Sequence, residues 1–320
     1  MLSEKAESPY MRIITPTEAI DFKKPVVTVG TFDGVHVGHA AVIASVLSHA
    51  KEIQGTSVVI TFDPHPRKFI DGAQAPGLLT TLSEKCARFE ALGLDVLVVV
   101  PFDESLRQLS PDAFVQRYLA DWLHVNHVIV GYDHGFGKDR QGGYDTMCTL
   151  GNRFGFQVTS VEPSVVGNGP ISSTRIREAL LSGRFDEAVS LLGGGFPVWG
   201  VVDKGDGRGT GLGFPTANVT VNPSEKLLPP LGVYAALVRL DQVFQAVVNV
   251  GHRPTFNGQH WTFEVHLLNF SGNLYGQMLQ VELVHHMRDE YKFESKEALV
   301  GQINTDIKIA KHWFSQRHSQ

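Results

Sequence analysis

Cysteine is scarce in this chain: Cys86 and Cys148 are the only two among 320 residues, and they form no CxxC pair. That excludes a disulfide scaffold and predicts two free thiols in a reducing compartment. Long apolar runs are missing as well. The longest, near Leu94–Pro101, is too short to span a bilayer. Met1–Tyr10 carries Glu4, Lys5 and Glu7 and no apolar stretch, so it does not read as a signal peptide. A soluble, cytoplasmic protein is the expectation. There is no basic excess: the formal net charge is −5, with 17 basic and 22 acidic residues in 1–192 and 11 of each in 193–320. A protein that tracks a nucleic-acid backbone needs the opposite balance. Repeats and low-complexity tracts are absent, and the later half has no GxxxxGK[ST] phosphate loop. Small polyanions stay admissible as ligands, because a local nest of N–H groups needs no global charge.

What is present suffices for two domains with well-formed cores, at 42% hydrophobic content. In the first half, strand-like runs at Val26–Gly30, Ser57–Phe62, Val96–Val100, His127–Gly131 and Gln157–Val161 alternate with helical patterns at Ala40–Ala50, Ser83–Leu92, Pro111–Trp122 and Asp145–Phe154. Val-rich strands separated by helices predict parallel βαβ units with both sheet faces covered. Gly193–Gly195 and Pro197 break the pattern and place the domain junction at 192–197, giving domains 1–192 and 193–320. Beyond it, short strands around Pro197–Lys204, Gly232–Leu240, Gln245–Gly251, Thr262–Leu268 and Met278–His285 predict a closed antiparallel barrel. From Ser295 the spacing of Leu299, Ile303, Ile307 and Ala310 predicts a terminal helix.

The strongest local signal is VVTVGTFDGVHVGHA at 26–40. A strand runs into a glycine-bearing turn, and His36 and His39 follow at the mouth of a helix. Backbone N–H groups and two imidazoles thus gather at a junction suited to a nucleotide phosphate. Gly30 and Gly34 permit the tight turn. Each imidazole is poised to carry positive charge and to stabilise a transferring phosphoryl group. Two blander readings stay open: a zinc pair, for which HxxH supplies too few ligands, and a structural turn. PISSTRIR at 170–177 offers Ser172, Ser173 and Thr174 as caps for a helix at Arg175, and Arg175 or Arg177 for a phosphate. Alone it reads as an ordinary capping sequence. In TFDPHPRKF (61–69), Asp63 and His65 can line the same crevice, or the prolines can simply force an extended exit. GYDHGFGKDRQGG (131–143) is a glycine-rich loop suited to enclosing a flat ligand, with Asp133 as a contact for base or ribose.

In the later half, GDGRGTGLGFPTAN (205–218) combines five glycines, Gly213 among them, with Pro215, Thr216 and Asn218, and its glycines let the chain wrap phosphates through backbone donors. Thr216 and Asn218 offer hard oxygens to Mg²⁺ carried with ATP. The bland alternative is a glycine-rich barrel turn. Alternation in FEVHLLNF (263–270) puts Glu264 and His266 on one strand face, opposite Phe263 and Val265, and a carboxylate there can take a proton from an attacking alcohol. A solvated glutamate is equally compatible with the pattern. Arg288, Tyr291 and Phe293 can frame a planar ligand or pack the terminal helix on the barrel.

These segments, together with PPLGVYAALV, NVGHRPTF, SGNLYG and RDEYKFES, closely resemble the bacterial bifunctional riboflavin kinase/FAD synthetase family in content and order, from about Val26 to Ala310. The resemblance implies an α/β chain: a Rossmann-like parallel-sheet nucleotidylyltransferase domain, then an antiparallel β-barrel flavokinase domain with a C-terminal helix. It implies that His36 and His39 serve adenylyl transfer. Gly30, Phe32, Asp33, Gly34 and Asp133 would contact the nucleotide, and Ser172, Ser173, Thr174 and Arg177 the ATP phosphates. In the second domain Gly213, Pro215, Thr216, Asn218 and Arg288 would bind ligand, Thr216 and Asn218 also Mg²⁺, with Glu264 as the catalytic base. The implied partners are riboflavin, FMN and ATP, with FAD as product; no nucleic-acid or membrane partner is expected, and a transient homo-oligomer is compatible with the sequence. Rivals are an enzyme with one activity, a non-catalytic flavin-binding regulator, and another nucleotidylyl transfer by the first half.

Overall fold

The computed structural model describes residues 10–132, 135–138, 141–167, 169–204, 208–221, 225–255 and 258–317. Contacts divide the chain between Ser172 and Ser173 into two compact units. This contact boundary precedes the 192–197 junction expected from the glycine run, because two intervening helices pack with the second unit.

The Val-rich runs of the first unit become a parallel sheet. Its strands are β1 (Arg12–Ile14), β2 (Val26–Val29), β3 (Ser57–Asp63), β4 (Val96–Pro101), β5 (His127–Gly131) and β6 (Gln157–Val161), in the order β1-β4-β3-β2-β5-β6. Alternate residues of β2 enter opposite cores. Val26 meets Val42, Val46 and Ala50 of α1 (Val37–Glu52), whereas Val27 and Val29 join Phe114, Leu119, Met147 and Leu150 on the other face. With both faces covered, the strands read as unbroken valine runs. The remaining helices are α2 (Pro66–Asp71), α3 (Leu82–Ala91), α4 (Glu104–Arg107), α5 (Pro111–Phe114), which runs on into a π-helical stretch at Val115–Trp122, and α6 (Tyr144–Phe154). A small hairpin, β7 (Val165–Val166) with β8 (Gly169–Pro170), follows.

From β2 the chain steps to β3 and β4 on one side and later returns to place β5 on the other. The crevice beyond the carboxyl ends of β2 and β5 is therefore the topological switch point, where open α/β sheets bind ligands. Two local outcomes differ from the sequence reading. Pro66 starts α2, with His65 Nδ1 accepting from the Arg67 N–H at 3.1 Å, so the prolines do not force an extended exit. β1 has only three residues, too few for a readable pattern, and is defined by pairing with β4.

The second unit opens with α7 (Ser173–Leu181) and α8 (Phe185–Leu192). A closed antiparallel barrel follows: β9 (Phe196–Asp203), β10 (Ala217–Thr220), β11 (Gly232–Arg239), β12 (Val243–Thr255), β13 (Gly258–Leu267) and β14 (Met278–Arg288), ordered β10-β13-β12-β11-β14-β9. A short α9 (Arg208–Gly211) precedes β10, and α10 (Lys296–Arg317) ends the fold. Tyr234, Val248 and Val265 oppose one another in one buried row, while Val233, Ala235 and Val247 face outward and are covered by Ala310 and Phe314 of α10. Phe185 of α8 packs edge-on against Tyr234 at 4.8 Å. No helix among the described residues is long and apolar enough to cross a membrane.

Candidate active sites

The first site is built where β2 ends. The chain turns through Gly30–Val35 before His36 caps α1. Phe32, Gly34 and Val35 take positive φ, at 49°, 89° and 41°. For branched Val35 this conformation costs about 1–3 kcal/mol, so surrounding contacts must impose it. Asp33 is one of them. Its buried carboxylate accepts from the backbone N–H groups of Leu79 and Thr80, both at 3.0 Å, and from the Thr80 hydroxyl. Gly34 N–H donates to Thr80 Oγ1 at 2.9 Å, and the Gly34 carbonyl accepts from Arg88 Nη1 at 2.8 Å. Phe32 packs edge-on against Phe89 and His39. Phe32 and Asp33, expected from sequence as nucleotide contacts, have buried side chains that support the turn.

His36 Nδ1 accepts a hydrogen bond from the His39 N–H at 3.3 Å, so this ring is itself the helix cap. The two imidazoles stack with centroids 3.6 Å apart and planes 17° from parallel. Gly38 makes room for them: a Cβ there would stand 3.2 Å from His36 Cε1 and 3.9 Å from the Ile171 carbonyl oxygen. That second neighbour brings the start of the PISSTRIR segment to the histidine turn. Burial first, then the positive charges of His36 and Lys85, hold the His39 imidazole well below its ordinary range. His39 is therefore neutral at pH 7 in the folded chain. Its Nδ1 is buried without a hydrogen-bond partner among the described residues, as befits a group whose partner is a ligand. No trio of His, Cys, Asp or Glu placed to hold a metal exists among the described residues, so the zinc pair lacks a third ligand there.

Around this turn the other expected residues divide. Asp63 is exposed at the carboxyl end of β3, and His65 is taken up in capping α2. Asp133 lies outside the described residues. Ser172 closes the first unit, while Ser173, Thr174 and Arg177 belong to α7, which starts at Ser173 rather than Arg175. Arg177 is buried; Arg175 pairs with Glu187 of α8 at 3.3 Å. Sequence reasoning missed Lys85, which donates to the Thr31 carbonyl at 2.7 Å. Its sole signal was a charged residue in the buried stripe of α3.

The second site lies on the outer face of the barrel. Phe263 and Val265 point inward and are buried, so Glu264 and His266 face out, half-buried, as the alternation predicts. Register sets Glu264 between Asn218 of β10 and Asn249 of β12. Directly opposed residues hold their Cβ atoms about 4.5–5.5 Å apart, so three polar side chains form one row. Asn249 escaped the sequence reading because only strand pairing reveals its neighbour. Gly213, at φ 85°, and exposed Pro215 lead into β10. The Pro215 carbonyl lies 2.9 Å from His266 Nδ1, which ties this loop to the Glu264 strand. A Cβ at Gly209 would come within 2.8 Å of Thr216 Oγ1 and 2.4 Å of the Phe214 carbonyl oxygen, so a glycine cradle encloses the Thr216 hydroxyl. Residues 205–207 of the same motif lie outside the described residues.

Arg288, expected as a ligand contact, has partners within the chain. It forms a bidentate pair with Asp306 of α10, Nε to Oδ1 at 3.0 Å and Nη2 to Oδ2 at 2.8 Å, while Nη1 donates to the Asp289 carbonyl. Tyr291 and Phe293 lie against its guanidinium. Arg288 therefore ties the terminal helix to the barrel.

Comparison with known proteins assigns both halves. The FAD synthetase family matches residues 19–175 and the riboflavin kinase family residues 192–314. The chain is 39% identical to the bifunctional riboflavin kinase/FMN adenylyltransferase of Haemophilus influenzae over 290 residues, covering 90% of this chain and 94% of that one. Against the Listeria monocytogenes protein of the same description, identity is 37% over 310 residues, 95% and 96% of the two chains. A crystal structure described as a macrolide-efflux protein from Streptococcus pneumoniae superposes with a TM-score of 0.83 at 29% identity, covering 95% of this chain and 100% of that one. With motifs, fold and relatives in agreement over nearly its whole length, the chain belongs to the bifunctional riboflavin kinase/FMN adenylyltransferase family.

Proposed function

We propose that the stacked His36–His39 turn carries adenylyl transfer and that the polar row around Glu264 carries phosphoryl transfer. The chain is a bifunctional enzyme that phosphorylates riboflavin to FMN and adenylylates FMN to FAD, each with ATP. The assignment of sites rests chiefly on one observation: each unit holds a polar constellation of the required chemistry within the matching motif. The first has an imidazole pair at a sheet's switch point, and the second has a half-buried carboxylate between two amides on a barrel.

In the first unit an FMN phosphate oxygen attacks the α-phosphorus of ATP, and the bond to the bridging oxygen breaks to release pyrophosphate. No covalent enzyme intermediate is needed. The two imidazoles supply donors to phosphate oxygens whose charge grows in the transition state. A neutral His39 stacked on His36 at 3.6 Å gains proton affinity once the polyphosphate arrives. The Ser172–Arg177 segment keeps the phosphate-binding role that its motif implies.

In the second unit the 5′-hydroxyl oxygen of riboflavin attacks the γ-phosphorus, its proton passes to Glu264, and ADP leaves. The Thr216 hydroxyl and Asn218 amide oxygen are hard donors beside a glycine cradle, and they fit Mg²⁺ that arrives with ATP. Held there, Mg²⁺ supplies charge neutralisation for the phosphates. Free Cys86 and Cys148 support a reducing, cytoplasmic setting.

The test incubates the full chain with riboflavin, ATP and Mg²⁺ and follows riboflavin, FMN and FAD by chromatography. His36→Ala and His39→Ala are expected to block FMN-to-FAD conversion while FMN still forms. Glu264→Ala is expected to block FMN formation and spare adenylylation of added FMN. Equal loss of both half-reactions in folded variants refutes the assignment.

A further inference from the structure

We propose that Lys85 is a positioning residue of adenylyl transfer: by binding the Thr31 carbonyl and the Thr61 hydroxyl, it locks the start of the strained turn that carries His36 and His39. The proposal rests on the assignment of that turn to FMN adenylylation. Lys85 lies on α3 and is only 4% exposed. Its Nζ donates to Thr31 O at 2.7 Å and to Thr61 Oγ1 at 3.2 Å, and Thr61 Oγ1 donates in turn to the same Thr31 carbonyl at 3.2 Å. Thr31 stands where the chain has left β2 and is about to enter the positive-φ segment beginning at Phe32. Two donors on one carbonyl fix that peptide plane. Asp33 and Arg88 hold the turn farther along, so Lys85 anchors its proximal end.

A lysine this deeply buried is rare, because loss of water penalises its charge. Burial indeed lowers the Lys85 pKa, with Asp33, Asp63 and Cys86 acting in the opposite sense. A methionine would fill similar volume without that penalty, but it would bring no donor to the Thr31 carbonyl and no charge to the site. The charge matters because Lys85, together with burial and His36, favours the neutral form of His39. The charged or titratable groups acting on this pair are His36 from the α1 cap, Asp33 from the turn, Asp63 from the end of β3 and Cys86 from α3. Lys85 thus acts on the histidines twice, through the backbone of the turn and through its field.

The experiment uses full-length Lys85→Met and Lys85→Arg. FMN adenylylation and riboflavin phosphorylation are measured separately, and the His39 imidazole is titrated by NMR, its signal identified by its loss in His39→Gln. Lys85→Met is expected to lower kcat for FAD formation by about 10- to 100-fold, the cost of a small misplacement of catalytic groups, with riboflavin phosphorylation unchanged. The His39 titration should move to higher pH, since a nearby cation is gone, and Lys85→Arg should return it toward the wild-type position. Where Lys85→Met does not fold, Lys85→Gln carries the same comparison, keeping a donor but no charge. An unmoved His39 titration, or wild-type FAD formation, in a folded neutral variant overturns the proposal. If His39→Ala instead leaves FAD formation intact, the adenylylation assignment fails, while the titration still reports whether Lys85 acts on His39.

Discussion

As pH falls, the unfolded chain takes up a proton at His39 before the folded chain does, because burial and the charges of His36 and Lys85 depress the folded pKa. The contribution of neutral, buried His39 to stability is fully present above the ordinary imidazole pKa. It is lost progressively as pH drops from there toward the depressed folded value. Urea midpoints measured across that window should fall with pH in the wild type and fall less steeply in His39→Gln. Glu264 gives a second prediction at this scale. Glu264→Gln keeps the shape of the row between Asn218 and Asn249 but removes the carboxylate proposed as the base. Riboflavin phosphorylation should drop by about 100- to 10,000-fold, the usual worth of a positioned general base, with little change in KM for riboflavin. A loss confined to KM would instead mark Glu264 as a binding residue.

Strands and helices position these side chains through a few identifiable locks. In α10, the buried stripe runs Asp306, Ala310 and Phe314, one carboxylate followed by two apolar residues. Asp306 is tolerated there because Arg288 of β14 meets it with two nitrogens and Gln302 donates to it at 2.8 Å. Asp306→Ala leaves the guanidinium half-buried and unpaired, and should cost about 3 kcal/mol by chemical denaturation. Truncating both partners together should cost less than the sum of the singles, which a double-mutant cycle reads directly. The histidine turn has its own lock in Gly38. Gly38→Ala pushes a methyl toward the His36 ring at 3.2 Å and should lower FAD formation while the kinase activity persists.

At the level of the molecule, activity and compactness divide the chain at different places. The family matches end at residue 175 and resume at 192, whereas contacts change between Ser172 and Ser173. The helices between belong to the barrel's packing: Phe185 is 1% exposed and lies against Tyr234 and Phe196, and Asp186 reaches His285 at 3.1 Å. A fragment of residues 173–320 should therefore unfold at a higher temperature than one of residues 193–320. Removing Phe185 alone accounts for about 3–5 kcal/mol, the usual cost of emptying a buried aromatic site. Equal melting temperatures would show that the helix pair adds nothing to the barrel.

Much of this was legible in the linear chain. Valine runs, helical spacing and glycine breaks specify local conformation through short-range sterics and burial pattern, and they located the main strands and helices to within a few residues. The motifs that identify the family are likewise strings of adjacent residues. Properties depending on neighbours distant in sequence were not legible. Asn249 meets Glu264 only through strand register, and Arg288 became a helix lock only when α10 brought Asp306 to it. Lys85 gained its place beneath the histidine turn because α3 buries it against Thr31. Charge state followed the same rule: an imidazole's composition is fixed by the code, but its proton affinity depends on the water and charges that folding leaves around it.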